Sequence, residues 1–107
     1  MDEETTKRIQ NLQALEQDFQ QILMQKQSLQ IESSETNTAL EELKKTKGDV
    51  FRVLGQIMLK SNPSDLKKDL EQKKGLLNQK IEVIEKQEIS LRENIERIRN
   101  EIMNQMK

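Results

Sequence analysis

Apolar residues recur at alternating intervals of three and four along two long stretches of this chain. The first stretch runs from Leu12 to Leu43 and the second from Leu70 to Ile102. This alternation is the period of a left-handed coiled coil, in which one face of each helix meets a partner helix. The pattern predicts a mainly α protein with two long helices, at about residues 5–47 and 63–106.

The apolar positions of the two stretches are arranged symmetrically about Gly55. Leu12 and Ile98 lie equally far from Gly55 along the sequence, and so do Leu40 and Leu70. A chain that folds back on itself at its midpoint brings such positions side by side. The sequence therefore predicts a long antiparallel two-helix coiled coil, within a single domain that spans residues 1–107.

Some positions of the predicted seam, the line along which the helices meet, carry polar residues. Long polar side chains at the edge of a two-helix seam can keep their charged ends in water, so partial exposure accounts for them. Polar seam residues can also fix the register of two helices. Two of them, Lys26 and Glu88, fall in adjacent layers, and we expect them to form an ion pair. The polar seam residues are Lys26, Ser33, Thr36, Lys74 and Glu88.

Between the two stretches lies a segment of different character, residues 49–61. It is rich in β-branched and other apolar residues and is divided in the middle by Gly55 and Gln56. Glycine at the first central position of a two-residue connection is typical of a type II′ β-turn. We therefore predict a β-hairpin here, with Gly55 and Gln56 as its turn.

Both faces of the predicted hairpin are apolar, and an isolated two-stranded hairpin is only marginally stable in water. Two helices that meet at one end of the hairpin can cover at most one face, and the outer strand edges keep unpaired backbone groups. We therefore expect an obligate oligomer in which hairpins from several subunits close a sheet or an intersubunit β-barrel. The residues expected at this oligomerisation site are Val50, Phe51, Val53, Leu54, Gly55, Ile57, Met58 and Leu59.

The composition argues against an enzyme. The chain has 107 residues, of which 35% are charged and 2% aromatic, and it contains no histidine or cysteine. Such a composition is typical of coiled coils, and it lacks the groups most used for acid–base, nucleophilic and soft-metal chemistry. We therefore expect no catalytic residues, no metal site and no cofactor.

The charge balance and the chain start bear on partners and location. A formal net charge of −1 gives no electrostatic drive toward nucleic acid or an anionic membrane. The acidic start of the chain does not resemble a secretory signal, and no apolar run approaches the roughly 20 residues of a membrane span. We expect a soluble, cytoplasmic protein that binds neither nucleic acid nor membrane.

Surplus apolar residues cluster near the two chain ends, which the antiparallel arrangement brings together. Some of them lie off the seam, and methionine adapts its shape to varied apolar partners. They can cap the coiled coil or fray; the functional alternative is a weakly specific clamp for exposed apolar segments of other proteins. The candidate residues are Ile9, Leu12, Ile98, Ile102, Met103 and Met106.

Three segments together resemble the β subunit of archaeal-type members of the prefoldin family. They are residues 23–29, the hairpin segment 50–60 and residues 80–88. The most specific part is Val53-Leu54-Gly55 followed by an aliphatic strand that ends in Lys60, with heptads on both sides. The resemblance covers nearly the whole chain, and room for one hairpin only favours the β type over the two-hairpin α type.

The resemblance implies a hexamer of two α-type and four β-type subunits, in which the hairpins form the body and the coiled coils extend from it. It also implies an ATP-independent chaperone that captures non-native polypeptides at the coiled-coil tips and delivers them to a group II chaperonin. Eukaryotic β-type paralogues share the layout, so the number of partner subunit types stays open. The alternative is a structural coiled-coil spacer that binds no client.

Overall fold

A computed structural model describes residues 2–106 of the chain. The order of elements is helix α1 (Glu3–Lys45), strand β1 (Val50–Leu54), strand β2 (Ile57–Ser61) and helix α2 (Pro63–Gln105). The strands pair antiparallel and form a two-stranded sheet. The predicted fold class, two long helices with a central β-hairpin, is confirmed.

Helix α1 begins at Glu3 because the side chain of Asp2 caps it. The Asp2 Oδ1 atom accepts a hydrogen bond of 2.7 Å from the backbone N–H of Thr5, and Glu3 and Glu4 occupy the acid-favouring first turn. Thr5, where the helix was predicted to begin, is instead already inside it. Hydrogen bonds from Thr5 also lower the pKa of Asp2 below its ordinary value.

The same helix ends at Lys45, before the predicted Lys47. The hydroxyl of Thr46 donates a 2.7 Å hydrogen bond to the carbonyl of Glu42, and this side-chain bond satisfies one of the last helical carbonyls. Gly48 then takes a φ of 120°, which L-residues rarely adopt. The basic residues Lys44 and Lys45 lie in the last turn, where the helix dipole favours positive charge.

Helix α2 begins with a compact cap. The Oδ1 atom of Asn62 accepts hydrogen bonds from the backbone N–H groups of Ser64 at 2.8 Å and Asp65 at 3.4 Å. Pro63 occupies the first helical position, where its missing N–H has no partner to lose. These residues explain why the chain leaves the strand and enters a helix within two residues.

The described residues form two compact units. The terminal unit lies within Met1–Ser28 and Ile81–Lys107, and the central unit is Leu29–Lys80. In the terminal unit the buried apolar residues all come from the α2 seam: Ile84, Ile95, Ile98 and Ile102. In the central unit Leu77 and Thr36 are the buried seam residues, and the hydroxyl of Thr36 donates to the carbonyl of Glu32.

Candidate functional site

The hairpin of the central unit leaves its apolar side chains exposed. Val53 is 64% exposed and Met58 66%, and these two residues are direct cross-strand partners. Leu54 and Ile57, the pair next to the turn, are 58% and 61% exposed. Paired residues share a face and successive pairs alternate between faces, so apolar surface is exposed on both sides of the sheet.

The hairpin turn has the predicted geometry. Leu54 pairs with Ile57, which leaves Gly55 and Gln56 as a two-residue connection. Gly55 has a φ of 61°, and among the described residues only glycines have positive φ, so Gln56 has negative φ. Positive φ at the first central residue alone is the pattern of a type II′ turn, which matches the natural twist of paired strands.

Each strand contributes one residue to an exposed ion pair. The guanidinium of Arg52 lies 3.1 Å from the carboxylate of Asp69 on α2, and the amine of Lys60 lies 3.3 Å from the carboxylate of Asp49. Arg52 shares its face with its partner Leu59, which at 47% exposure is the best covered of the exposed hairpin hydrophobics. Arg52 therefore joins its face of the hairpin to α2 through Asp69.

The structure separates the six candidate client-binding residues into two groups. Ile98 and Ile102 are buried in the seam of the terminal unit, at 7% and 8% exposure, and Leu12 and Ile9 are half-buried. Met103 and Met106 are 60% and 69% exposed. The two methionines can therefore meet another molecule directly, whereas the isoleucines Ile98 and Ile102 hold the two helices together beneath them.

The first turn of α1 and the last turn of α2 are joined by polar contacts. The hydroxyl of Thr5, a residue only 4% exposed, donates a 2.9 Å hydrogen bond to the side-chain carbonyl of Gln105. Arg8 lies 3.8 Å from the carboxylate of Glu101. These contacts fix the ends of both helices and keep the surface around the methionines in place.

An ion-pair network crosses the seam of the terminal unit. The amine of Lys26 lies 2.9 Å from one carboxylate oxygen of Glu88, and Arg92 donates to the other oxygen at 3.0 Å. Glu88 is only 8% exposed, and the hydrogen bond from Lys26 lowers its pKa below the ordinary value, although burial opposes this. The predicted pairing of Lys26 with Glu88 is confirmed.

A cleft of about 860 Å³ opens on one side of the terminal unit, beside this network. The Arg92 guanidinium carbon lies 5.7 Å from the centre of the Phe19 ring, and Arg99 bridges the helices by a 3.1 Å contact with Glu16. This cleft was not among the sites predicted from the sequence. The relevant signal was the glutamine-rich face of α1 opposite two arginines spaced one heptad apart. The lining residues are Gln13, Glu16, Gln17, Phe19, Gln20, Arg92, Ile95, Glu96 and Arg99.

Neither a membrane span nor a metal site emerges from the described part of the chain. Over residues 2–106, no helix is long and apolar enough to cross a membrane. Within the same range, no group of three or more Asp or Glu side chains could hold a metal ion.

Comparison with known proteins identifies relatives along almost the entire chain. The family model described as "Prefoldin subunit" matches residues 6–107. Prefoldin subunit beta of Archaeoglobus fulgidus is 30% identical over 95 residues, which are 87% of this chain and 82% of that protein. Prefoldin subunit beta of Caldivirga maquilingensis is 33% identical over 93 residues, 85% of this chain and 77% of its relative.

The fold agrees with these sequence relatives. The crystal structure of the prefoldin beta subunit from Thermococcus strain KS-1 matches with a TM-score of 0.89 and covers 99% of this chain and 95% of that chain, at 22% sequence identity. The chain therefore belongs to the prefoldin subunit family, a family of non-enzymatic chaperone subunits that form hetero-oligomeric complexes.

Proposed function

We propose that this chain is a β-type subunit of a cytoplasmic hetero-hexamer of two α-type and four β-type subunits. The complex holds non-native polypeptides without ATP and delivers them to a group II chaperonin. The subunit acts as a single domain, binds no cofactor, and contributes assembly contacts through its hairpin and client contacts through its helix ends.

The observation that carries this proposal is the exposure of the hairpin on both faces. Six of its apolar residues, three on each face, are between 47% and 66% exposed. Leaving this much contiguous apolar surface in water is unfavourable, and two free strand edges are templates for strands of other chains. Association with hairpins of other subunits buries the apolar faces and also gives the backbone groups at the strand edges hydrogen-bond partners.

Client contact is assigned to the surface formed at the helix ends. Met103 and Met106 are exposed there on a base of buried Ile98 and Ile102, and the Thr5–Gln105 hydrogen bond holds the ends of α1 and α2 together. A flexible, polarisable side chain on a fixed base can fit apolar segments of many sequences. This is the property that a holder of diverse non-native chains requires.

The proposal is tested on the complex isolated from the native cytosol. Native mass spectrometry is expected to find a complex of six subunits. Four of them are this chain, and the other two are copies of a longer coiled-coil partner. Light scattering is expected to show that the complex suppresses aggregation of chemically unfolded citrate synthase without nucleotide. A homodimer or filament that leaves aggregation unchanged would instead establish a structural spacer.

A further inference from the structure

The cleft of the terminal unit lies on a floor of Phe19 and Ile95 and has little net charge to attract an ion. Each arginine at its rim already contacts a carboxylate: Arg92 contacts Glu88 at 3.0 Å, and Arg99 contacts Glu16 at 3.1 Å. Such compensated charges do not favour an anionic or a cationic ligand over a neutral one. The cleft is therefore suited to an uncharged partner with apolar groups.

The apolar surface of the cleft continues along the same side of both helices. Residues seven positions apart lie on the same face of a coiled-coil helix. Counting one heptad in each direction from the cleft residues Glu16, Glu96 and Arg99 reaches five apolar residues. We call this side, with the cleft, the cleft flank; its additional apolar residues are Ile9, Leu23, Ile89, Met103 and Met106.

On the other side of the terminal unit, the surface of α2 is mostly polar. Moving one residue along α2 rotates the side chain by about 100°. The neighbours of Ile89 and Met103 in this direction are Ser90 and Asn104, and both are exposed. Asn94 and Arg97, which hydrogen-bond to each other, lie on the same side. Within the terminal unit, Val83 apart, the described exposed residues of α2 on this opposite flank are polar.

The spacing of the apolar residues shows which occupant the cleft flank fits. A further helix, such as one from a second copy of this chain, needs an apolar residue at nearly every heptad. Here Glu16 separates Ile9 from Leu23, and Glu96 separates Ile89 from Met103. The flank therefore offers separate apolar patches divided by polar residues, which a short extended segment can contact in turn.

The wall of the cleft supplies hydrogen-bond donors and acceptors for the backbone of an extended segment. Gln13, Gln17 and Gln20 line one side, and each amide side chain can both donate and accept hydrogen bonds. An unfolded segment carries both N–H and C=O groups that secondary structure leaves unpaired. Amide groups recognise such a backbone whatever its sequence, while Phe19 and Ile95 contact its apolar side chains.

We propose that the cleft flank is a client-binding surface that receives extended, uncharged apolar segments of non-native polypeptides, and that the opposite flank does not. The surface reaches from Met103 and Met106 inward to Phe19 and Ile89, so it extends well beyond the helix ends. This inference rests on the proposed chaperone function and specifies which side of the subunit performs it.

The test compares neighbouring exposed positions in the assembled complex. The variant Ile89→Glu/Met103→Glu places charge on the cleft flank, and Ser90→Glu/Asn104→Glu places the same charge one residue away on the opposite flank. The probe is fluorescein-labelled α-lactalbumin kept unfolded by reduction and carboxymethylation, and its affinity is measured by fluorescence anisotropy. We expect the first variant to bind about tenfold more weakly and the second to stay within about twofold of the unmodified complex.

A second pair of variants tests the glutamine wall with a nearly isosteric change. Gln13→Glu/Gln20→Glu replaces amide donors inside the cleft, and Gln21→Glu/Gln25→Glu makes the same change on the opposite flank. We expect weaker binding of the probe from the first pair only. Native mass and the circular dichroism melting temperature of each variant serve as checks that the complex is intact.

The outcomes distinguish a failure of the flank assignment from a failure of the proposed chaperone function. Equal losses from both flanks, or no loss from either, would overturn the flank assignment and leave the chaperone function standing. A change in subunit number that occurs only with the cleft-flank variants would show a subunit interface and would also overturn it. An unmodified complex that does not bind the probe would overturn the proposed function and the flank with it.

Discussion

At the scale of single residues, the Lys26–Glu88 pair is the least exposed ion pair among the described residues. Its two side chains are 24% and 10% exposed, whereas the i,i+4 pair Glu82–Lys86 is about 70% exposed on both sides. Removing Lys26 leaves the poorly solvated Glu88 carboxylate with the more exposed Arg92 as its remaining partner, so part of its charge loses compensation. Exposed pairs contribute little, because water and salt screen them.

We expect Lys26→Met to lower the melting temperature at neutral pH, whereas Lys86→Met leaves it nearly unchanged. The measurement is circular dichroism at 222 nm, with both variants compared to the unmodified chain. Equal effects of the two substitutions would show that the buried position of the pair has no special importance.

The same pair predicts a dependence on acid pH. The folded-state pKa of Glu88 is lowered below its ordinary value of 4.5, so ionised Glu88 stabilises the fold at any pH above 4.5. This stabilisation is lost as the pH falls from 4.5 through the lowered, folded-state pKa. The melting temperature of the unmodified chain should therefore fall more steeply below pH 4.5 than that of Lys26→Met/Glu88→Met. Parallel curves would contradict this.

The turn glycine gives a second residue-scale prediction. At the φ of 61° that Gly55 adopts, an L-residue pays about 1–2 kcal/mol, and Gln56 has no such constraint. We expect Gly55→Ala to weaken hairpin-dependent assembly, by about tenfold in the dissociation constant, and Gln56→Ala to leave it unchanged. The readout is subunit dissociation followed by native mass spectrometry at decreasing concentration.

How far the sequence predicted the site differs from residue to residue. Lys26 and Glu88 could be paired from the sequence because the heptad pattern places both on the seam in adjacent layers. The turn could be predicted because few residues other than glycine adopt its conformation. The cleft could not, since it depends on where Arg92 and Arg99 place their guanidinium groups, and several rotamers of these long side chains are compatible with the same pattern.

At the scale of elements, periodicity predicted both helices, but local capping decided where they end. The heptads begin and end near the right positions, yet Asp2 extends α1 toward the chain start and the Thr46 hydroxyl closes it early. Such side-chain hydrogen bonds compete with the backbone hydrogen bonds of the helix and shift its ends by about one or two residues. A pattern with a seven-residue period does not resolve them.

Within α2, Gly75 has no packing role in the isolated chain. A Cβ atom added at Gly75 or at Gly48 would meet nothing within 4 Å. The two glycines differ in their backbone, because Gly48 has a φ of 120° and Gly75 lies in a helix. We expect Gly75→Ala to raise the free energy of unfolding by about 0.5–1 kcal/mol. Gly48→Ala should lower it by about 1 kcal/mol, because the backbone there disfavours a side chain.

Urea unfolding monitored by circular dichroism measures both glycine variants on the same scale. Opposite signs of the two effects are the expected result. A destabilising Gly75→Ala would mean that the helix requires glycine for a reason other than the space around it.

At the scale of the whole molecule, the proposed function assigns assembly and client binding to different units of the chain. The central unit carries the exposed hairpin, and the terminal unit carries the cleft flank and the methionines. A change in one unit should therefore affect assembly or client binding separately. The heptad symmetry about Gly55 made this division visible in the sequence.

We expect Val53→Asp to release subunits from the complex while the helical content stays nearly constant. The reason is that a carboxylate in an apolar interface loses its hydration without gaining a partner. Gln56→Asp, in the turn of the same hairpin, is the matched control and should leave the complex intact. An assembled complex that contains Val53→Asp would refute the role of the hairpin in assembly.

The Thr5–Gln105 hydrogen bond joins residues 100 positions apart in the sequence. During synthesis, the first turn of α1 therefore waits until 100 further residues have been made before its partner exists. The ribosome adds about 5–20 residues per second, so this interval lasts on the order of seconds. While it is being synthesised, this subunit of a chaperone family therefore exposes the apolar residues of its own seam, as do the non-native chains that it is proposed to hold.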